Sequence, residues 1–224
     1  MTHVVHPLAH RLGTIRDWKS RWFGRSREEY TSFLRGDILL ERYLNKRLRG
    51  FYVADVETER NEKTLRFIIK TSRPGMIIGR NGEGALKLRA DLSKEAKRMK
   101  IAMPEQLKID IEEVRYPESN AAIVSQMIAE GLEKRMPFRR VMKQAMEKVM
   151  ANRDVKGVRI RIAGRLGGAE MSRTEQVKKG AIPLQTFRAD IDYAREKAYL
   201  PYGVIGIKVW IYKGEVFDEK KGNK

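Results

Sequence analysis

The chain of 224 residues carries 47 lysines and arginines against 29 aspartates and glutamates, a formal net charge of +18. Its 42% hydrophobic residues suffice for a folded core, and its charge predicts a polyanionic partner such as nucleic acid, because phosphates relieve the self-repulsion of a compact cation. The sequence contains no cysteine, which excludes disulfides, thiolate metal sites and thiol nucleophiles.

Residues 1–36 show no clear periodicity, and we predict that they form an N-terminal arm. No basic and apolar segments of a secretory signal and no apolar stretch of membrane-spanning length are present, so we expect a cytoplasmic protein without a membrane partner. Aromatic residues alternate with cations, which suits contact with bases and phosphates, although anchoring of the arm to the folded body would explain the aromatics equally well. The candidates for RNA contact here are Arg11, Arg16, Trp18, Lys19, Arg21 and Trp22.

Residues 37–115 alternate helical and strand periodicities. The predicted elements are a helix from Asp37 to Gly50, strands at 51–59 and 65–70, helices at 74–78 and 85–99, and a strand at 107–111. A strand, two helices joined by a G-x-x-G loop and a further strand form the core order of a K-homology (KH) domain. The extra helix and strand in front predict its type II variant.

The G-x-x-G loop is the most informative local motif. Gly79 and Gly82 enclose Arg80 and Asn81, and glycines permit the close approach of backbone amides to a phosphodiester backbone. An ordinary turn between helices could carry the same four residues, so the RNA-binding interpretation depends on the surrounding order of elements. Gly84 is not followed by lysine, which excludes a Walker phosphate loop.

Residues 116–215 are predicted to form a second domain, because the apolar pattern changes at a proline, Pro117. Helices are expected at 119–134 and 137–152, followed by a mostly antiparallel sheet that includes strands at 158–163 and 205–212. Residues 216–224 form a short basic tail. The predicted fold class is therefore α+β, with an N-terminal extension, a type II KH domain (a three-stranded mixed sheet with helices on one face) and a C-terminal domain with two helices on an antiparallel sheet.

Cations dominate the region from 133 to 180, where 14 lysines and arginines face five acidic residues. Arg139, Arg140 and Lys143 lie three and four residues apart on one predicted helix, with Lys134 and Arg135 just before it, so these five should form a basic patch. A merely solvated surface would mix both signs of charge, and we therefore predict an RNA track. Further candidates for RNA contact are Arg159, Arg161, Arg165, Arg173, Lys178 and Lys179.

The sequence offers no convincing catalytic or metal site, and we expect neither enzymatic activity nor a cofactor. Asp190 and Asp192 could share a strand face, but ion pairs with Arg188 or Arg195 are the simpler interpretation. Histidine spacing near the N-terminus could in principle hold a metal, yet acidic and cysteine partners are absent there. The three histidines are His3, His6 and His10.

Taken together, these motifs resemble the bacterial small-subunit ribosomal protein S-three family over nearly the whole chain. The match is most specific in the C-terminal half, where Gly-Arg-Leu-Gly-Gly-Ala-Glu occupies residues 164–170. The sequence departs from the family's pattern at Pro137, at Gln144 and at Gln176-Val177, which replaces an aromatic pair. The matching segments are 5–7, 11–13, 18–23, 71–82, 164–170, 188–193 and 202–215.

The resemblance implies a structural protein in the head of the small subunit, bound to ribosomal RNA beside the ribosomal proteins numbered ten and fourteen. It also implies one wall of the channel by which messenger RNA enters, shared with proteins four and five. Cations matching Arg139, Arg140 and Lys143 would contact the incoming message there and help to unwind hairpins. No homo-oligomer is expected.

Two other functions remain open from sequence. A free-standing KH regulator would bind short single strands away from the ribosome, and a nucleic-acid lyase would need a lysine of depressed pKa. Whether the G-x-x-G loop binds RNA or packs against a neighbouring protein is also open.

Overall fold

The computed structural model describes residues 6–61, 63–101 and 106–217; His3 and residues 218–224 of the predicted tail lie outside this part of the chain. The described residues form two compact units. The central unit holds residues 18–115, and the C-terminal unit combines residues 116–217 with residues 6–17. The predicted arm is therefore divided between the two units.

The central unit contains a mixed sheet in the order β1-β2-β3-β4. Strand β2 is antiparallel to β3, whereas β4 is parallel to β3 and β1 is parallel to β2. The predicted type II KH order is confirmed, and β1 adds a strand of two residues to the three predicted. The elements are β1 (Ser20–Arg21), α1 (Arg27–Arg47), β2 (Val53–Arg60), β3 (Thr64–Thr71), α2 (Pro74–Ile78), α3 (Glu83–Arg98) and β4 (Gln106–Glu113).

Helix α1 begins ten residues before the predicted start at Asp37. Ser26 caps its N-terminus by accepting a hydrogen bond from the Glu29 amide (3.2 Å), as serine does at many helix starts. The first three turns are mostly exposed and carry no apolar stripe, so periodicity did not reveal them. The capping signal at Ser26 and Glu29 was the local evidence for the true start.

The core of the central unit lies between one face of its sheet and the helices. Apolar residues alternate along the strands and recur every three or four positions on the helices, which places them on one side of each element. The buried residues that meet there include Leu40 and Leu44 of α1, Leu65, Phe67 and Ile69 of β3, and Leu88, Leu92 and Ala96 of α3.

The opposite face of this sheet carries a network of mixed charges. Arg21 in β1 lies 2.8 Å from both Glu57 and Glu59 of β2, and Lys70 pairs with Glu57 from the other side. Arg66 joins Glu59 (3.1 Å) to the same network. These pairs fix the short strand β1 to the sheet and neutralise the cations of this face.

Glu57 should make the stability of the central unit depend on pH. Burial raises the pKa of Glu57, but hydrogen bonds from Lys70 and Arg21 outweigh this effect and hold the pKa below its ordinary value of 4.5. A carboxyl group whose pKa is lower in the folded state stabilises the fold at pH values above its unfolded-state pKa. This stabilisation is lost as the pH falls through the folded-state pKa. We expect Glu57→Gln to reduce the free energy of unfolding by about 1 kcal/mol at pH 7 and by almost nothing at pH 3.

Denaturant unfolding of both proteins between pH 7 and pH 3 measures this difference. Glu83→Gln is a suitable control, since Glu83 is exposed and lies 3.7 Å from Lys87 in a surface pair. A difference between wild type and Glu57→Gln that stays constant down to pH 3 would contradict the assignment.

The C-terminal unit is an antiparallel sheet in the order β6-β5-β8-β7 with two helices on one face. The prediction of two helices on an antiparallel sheet is confirmed. None of the helices in the described part of the chain is long and apolar enough to cross a membrane. The elements are α4 (Ala121–Glu133), α5 (Phe138–Ala151), β5 (Gly157–Gly164), β6 (Arg173–Gly180), β7 (Ala189–Leu200) and β8 (Gly203–Glu215).

Strict alternation along β5 and β8 decides which face of this sheet is buried. Ile160 and Ile162 of β5 lie opposite Val209 and Ile207 of β8, and all four are buried against the helices. Helices α4 and α5 contribute Val124, Ile128, Val141, Met142 and Val149 to the same core. The residues between these apolar positions consequently lie on the outer face of the sheet.

Residues 6–17 belong to the C-terminal unit because Arg11 is buried there. The Arg11 guanidinium is fully buried and donates hydrogen bonds to the carbonyls of Leu184 (3.0 Å), Thr186 (2.9 Å) and Ala189. The prediction that Arg11 contacts RNA is therefore not supported, because these carbonyls occupy the donors that a phosphate would need.

Arg16 holds the same segment by ion pairs. It lies 3.2 Å from Asp190 and 3.1 Å from Asp192, and Asp192 also accepts a hydrogen bond from the Ala121 amide (2.8 Å) at the start of α4. The structural role predicted for the two aspartates is present, but their partner is Arg16, not the predicted Arg188 or Arg195. Arg188 pairs with Glu215 at 2.7 Å.

Candidate nucleic-acid interface

The G-x-x-G loop lies where α2 ends and α3 begins. Gly79, Asn81 and Gly82 all have positive φ angles, of 71°, 52° and 79°. The Gly79 amide donates to the Gly75 carbonyl at 3.0 Å, which ends α2. Arg80 and Asn81 are exposed at the tip of the loop, in a position to contact a phosphate.

Gly84 is a third glycine that this loop requires and that sequence reasoning missed. A Cβ at Gly84 would lie 2.4 Å from the carbonyl oxygen of Ile77, because the first turn of α3 crosses the end of α2. A Cβ at Gly79 would in turn lie 3.1 Å from the Gly84 amide nitrogen. Exposed apolar side chains flank the loop, namely Met76, Ile78 and Leu86.

Helix α5 presents the predicted basic patch. Arg139, Arg140 and Lys143 are all exposed on the side of α5 that faces away from its buried residues. Lys134, just before this helix, pairs with Glu130 at 2.6 Å, and Arg135 is exposed with a positive φ of 60°. All five predicted cations are therefore exposed, and three of them project from one side of α5.

Strand β6 extends this patch through Arg173. The side chain of Glu175 lies between two guanidinium groups, 3.5 Å from Arg139 and 3.7 Å from Arg173. Both guanidinium groups also lie over the ring of Phe138, at 5.7 Å and 5.5 Å from its centre. Phe138 and Glu175 were not among the predicted site residues. Glu175 lies beside Arg173 because side chains two residues apart share a face of β6, whereas the packing of α5 beside β6 brings Phe138 and Arg139 to both of them.

The other predicted cations of the C-terminal unit lie elsewhere. Arg159, Arg161 and Lys178 share the outer face of the sheet, and Lys179 is exposed on the edge strand β6. Arg165 lies over the ring of Tyr202 at 5.7 Å and donates to the Ala169 carbonyl at 2.9 Å. The single RNA track that was predicted is thus divided over several surfaces.

The aromatic and basic residues of the arm are mostly engaged within the central unit. Lys19 pairs with Asp55 at 2.8 Å, and Trp22 packs against Tyr30 and Phe33 at ring distances of 5.1 Å and 5.9 Å. Phe23 and Trp18 are 86% and 63% exposed, so they present the most open aromatic faces among the described residues of the arm.

The two histidines in the described part of the chain pack against aromatic rings of the C-terminal unit. His10 stacks on Phe187 at 4.0 Å between ring centres, and His6 meets Tyr193 edge-on at 4.8 Å. Within residues 6–61, 63–101 and 106–217, no cluster of three histidine, aspartate or glutamate side chains could hold a metal ion.

Comparison with known families agrees with this architecture. Residues 39–119 match the family described as KH domain, and residues 128–211 match the family described as ribosomal protein S3, C-terminal domain. The chain is also similar over almost its whole length to two proteins called small ribosomal subunit protein uS3. The protein of Caldicellulosiruptor saccharolyticus is 43% identical over 98% of this chain and 96% of its own length. That of Ectopseudomonas mendocina is 44% identical over 96% of this chain and 91% of its own length.

Proposed function

Because the chain belongs to the uS3 family of non-enzymatic structural proteins of the small ribosomal subunit, we propose that its exposed cations divide into surfaces for ribosomal RNA and a surface for messenger RNA. Its place would be in the head of the small subunit of the cytoplasmic ribosome, beside proteins ten and fourteen. One side would line the channel by which messenger RNA enters, together with proteins four and five.

The observation that carries the messenger RNA assignment is the exposed face of α5. Arg139, Arg140 and Lys143 are adjacent cations on a helix whose opposite side is locked into the core by Val141, Met142 and Val149. A rigid helix holds these charges in place without further ordering when a phosphate arrives. Phe138 and Arg173 beside them add a ring and a guanidinium plane, groups on which unpaired bases can stack.

This surface would help to unwind messenger RNA passively. A hairpin at the channel opens transiently, and cations that bind the phosphates of a released strand disfavour its re-pairing. The ribosome's own translocation would supply the work.

The G-x-x-G loop and the predicted cations of the C-terminal sheet (Arg159, Arg161, Lys178 and Lys179) would serve attachment to ribosomal RNA. Three positive φ angles and an exposed Arg80 support contact between this loop and a phosphate. Cosedimentation tests the assignment: the purified protein should be recovered quantitatively with small subunits at low ionic strength. A free-standing KH regulator would instead remain in the supernatant while binding selected short single strands.

Removing the carboxylate of Glu175 should strengthen the α5 surface. Glu175 partly neutralises Arg139 and Arg173, and both distances, 3.5 Å and 3.7 Å, are long for charged pairs, so an arriving phosphate can compete with it. We expect Glu175→Gln to raise affinity for a single-stranded RNA about threefold, on the order of 0.7 kcal/mol for one exposed pair.

Fluorescence anisotropy with a labelled uridine oligonucleotide at 100 mM salt would measure this change. Glu41→Gln, at an exposed acidic position on α1, is a control for the overall change in charge. Equal gains in affinity for the two variants would show that Glu175 has no special position.

A further inference from the structure

The central part of the outer face of the C-terminal sheet, which α4 and α5 do not cover, carries only cations as charged residues. Twelve positions form a grid of four strands by three rows, as strand pairing defines it. Half of these positions are lysine or arginine and none is acidic. We call these six residues the outer cationic face: Arg159, Arg161, Lys178, Arg195, Lys197 and Lys208.

The middle row of this grid concentrates the charge. Arg161 of β5 lies directly opposite Lys208 of β8, which lies directly opposite Arg195 of β7. Neighbouring strands lie about 4.8 Å apart, and like charges directly opposite each other destabilise a sheet. We therefore expect the row of three cations to weaken the free protein, and an external anion would relieve this repulsion.

Carboxylates that could neutralise this row point elsewhere. In the part of the chain that the structure describes, no carboxylate lies within ion-pair distance of Arg161, Arg195 or Lys208. Glu175 and Glu196 lie on neighbouring strands but pair with Ile162 and Ile207, so they belong to the helix-covered side.

The central unit provides a comparison within the same molecule. The open face of its sheet also carries cations, yet Arg21, Arg66 and Lys70 are all paired there with carboxylates. These three cations are thus paired within their own unit, whereas Arg161, Lys208 and Arg195 of the middle row have no carboxylate within ion-pair distance among the described residues.

The shape of this face favours phosphates over bases. Trp210 is only 6% exposed, and Tyr193 packs against it at 5.2 Å, so the aromatic rings of the grid offer no open platform for stacking. The row beyond Lys208 contains Ala163 and Gly206, which leave the surface flat. Cations spaced by about 4.8 Å across strands and about 6.8 Å along them suit successive phosphates of a nucleic-acid backbone.

We propose that the outer cationic face binds the phosphate backbone of double-helical RNA, independently of base sequence. The proposal deepens the assignment to ribosomal RNA, on which it rests, by naming the surface and the form of RNA that it takes. It is separate from the α5 surface, because α5 packs on the opposite face of the same sheet.

An isosteric variant tests this directly. Gln176 lies next to Arg161 in the middle row, and its side-chain oxygen accepts a hydrogen bond from Arg159 at 2.7 Å. Gln176→Glu keeps that acceptor and adds one negative charge to the grid. We expect a higher melting temperature without RNA, together with about threefold weaker binding to a blunt 16-base-pair RNA duplex of arbitrary sequence.

A second variant removes the middle row. Arg161→Gln/Arg195→Gln/Lys208→Gln in the full chain should lower duplex affinity about tenfold and reduce the slope of log affinity against log salt by about three. The matched control removes the same charge from exposed positions on α1, as Arg35→Gln/Arg42→Gln/Lys46→Gln. Both triple variants should remain folded, since each only reduces positive charge on a surface.

The outcomes separate this proposal from the one on which it rests. Equal losses of duplex affinity in the two triple variants would overturn the assignment of the outer cationic face, as would unchanged affinity in Gln176→Glu. If the middle-row variant lost binding to poly-glutamate but bound the duplex as tightly as wild type, the face would be assigned to an acidic protein. This result would also overturn the proposal. A wild-type protein that binds neither duplex nor small subunits would instead reject the proposed function itself.

Discussion

Replacing Arg139, Arg140 and Lys143 together by glutamine is expected to slow translation through a stable hairpin several-fold. All three side chains are exposed on α5 and project from a helix that the core holds rigid. Each cation that binds a single-strand phosphate contributes about 0.7 to the salt dependence of binding, so their loss should reduce that slope by about two. Glutamine preserves helix propensity and side-chain length, so the fold should be unaffected.

Translation of matched messages with and without a hairpin, by ribosomes carrying the variant, measures this effect. Unstructured messages should be translated at the wild-type rate, and cosedimentation with small subunits should be retained. The triple variant on α1, Arg35→Gln/Arg42→Gln/Lys46→Gln, controls for a general loss of charge. Wild-type rates through the hairpin would reject the unwinding role and leave the structural role intact.

Replacing Arg11 by methionine is expected to have the largest effect on stability. The Arg11 guanidinium donates to carbonyls of residues 183, 184, 186 and 189 as well as to Pro7, so it joins the N-terminal segment to the loop before β7. Methionine fills a similar volume but leaves these carbonyls without a donor. Because buried carbonyls that lose their donor cost free energy, we expect unfolding to become easier by about 3 kcal/mol.

Denaturant unfolding and limited proteolysis of the loop around residues 181–188 would measure this effect. Arg11→Lys should be intermediate, since one ammonium group cannot reproduce the planar fork of donors. Arg16→Met is the comparison of choice: it removes two ion pairs of a side chain that is 31% exposed and should cost less. An unfolding free energy of Arg11→Met within about 0.5 kcal/mol of wild type would show that the loop does not depend on Arg11.

Local sequence patterns were sufficient for most elements that are half buried, although they did not reveal β7, which buries Ile191 and Ala198. The strands around Ile160 and Ile207, the two helices of the C-terminal unit and the KH order of elements all present one apolar face, and periodicity revealed each of them. Elements without a buried face were missed. Strand β6 is an edge strand with mostly exposed residues, β1 has only two residues, and the first turns of α1 are solvated.

The basic patch on α5 was predicted from the regular spacing of its residues, but the side chains from other elements that surround it were not. Arg139, Arg140 and Lys143 are neighbours through the regular geometry of a helix, which spacing alone encodes. Phe138 lies 35 positions before Arg173 and 37 before Glu175 in sequence, and it meets them only because α5 packs beside β6.

By itself the sequence determined the net charge, the family resemblance and the alternation that assigns each strand residue to one face. Only the tertiary structure decided what each cation meets: Arg11 was predicted to contact RNA and is buried among carbonyls, whereas Arg161, Lys208 and Arg195 form a row on an open face. The physical reason is that the five N–H groups of a guanidinium can donate hydrogen bonds to a carbonyl, a carboxylate or a phosphate. The choice among them is made by strand register and by packing between residues far apart in the chain, which composition and spacing do not encode.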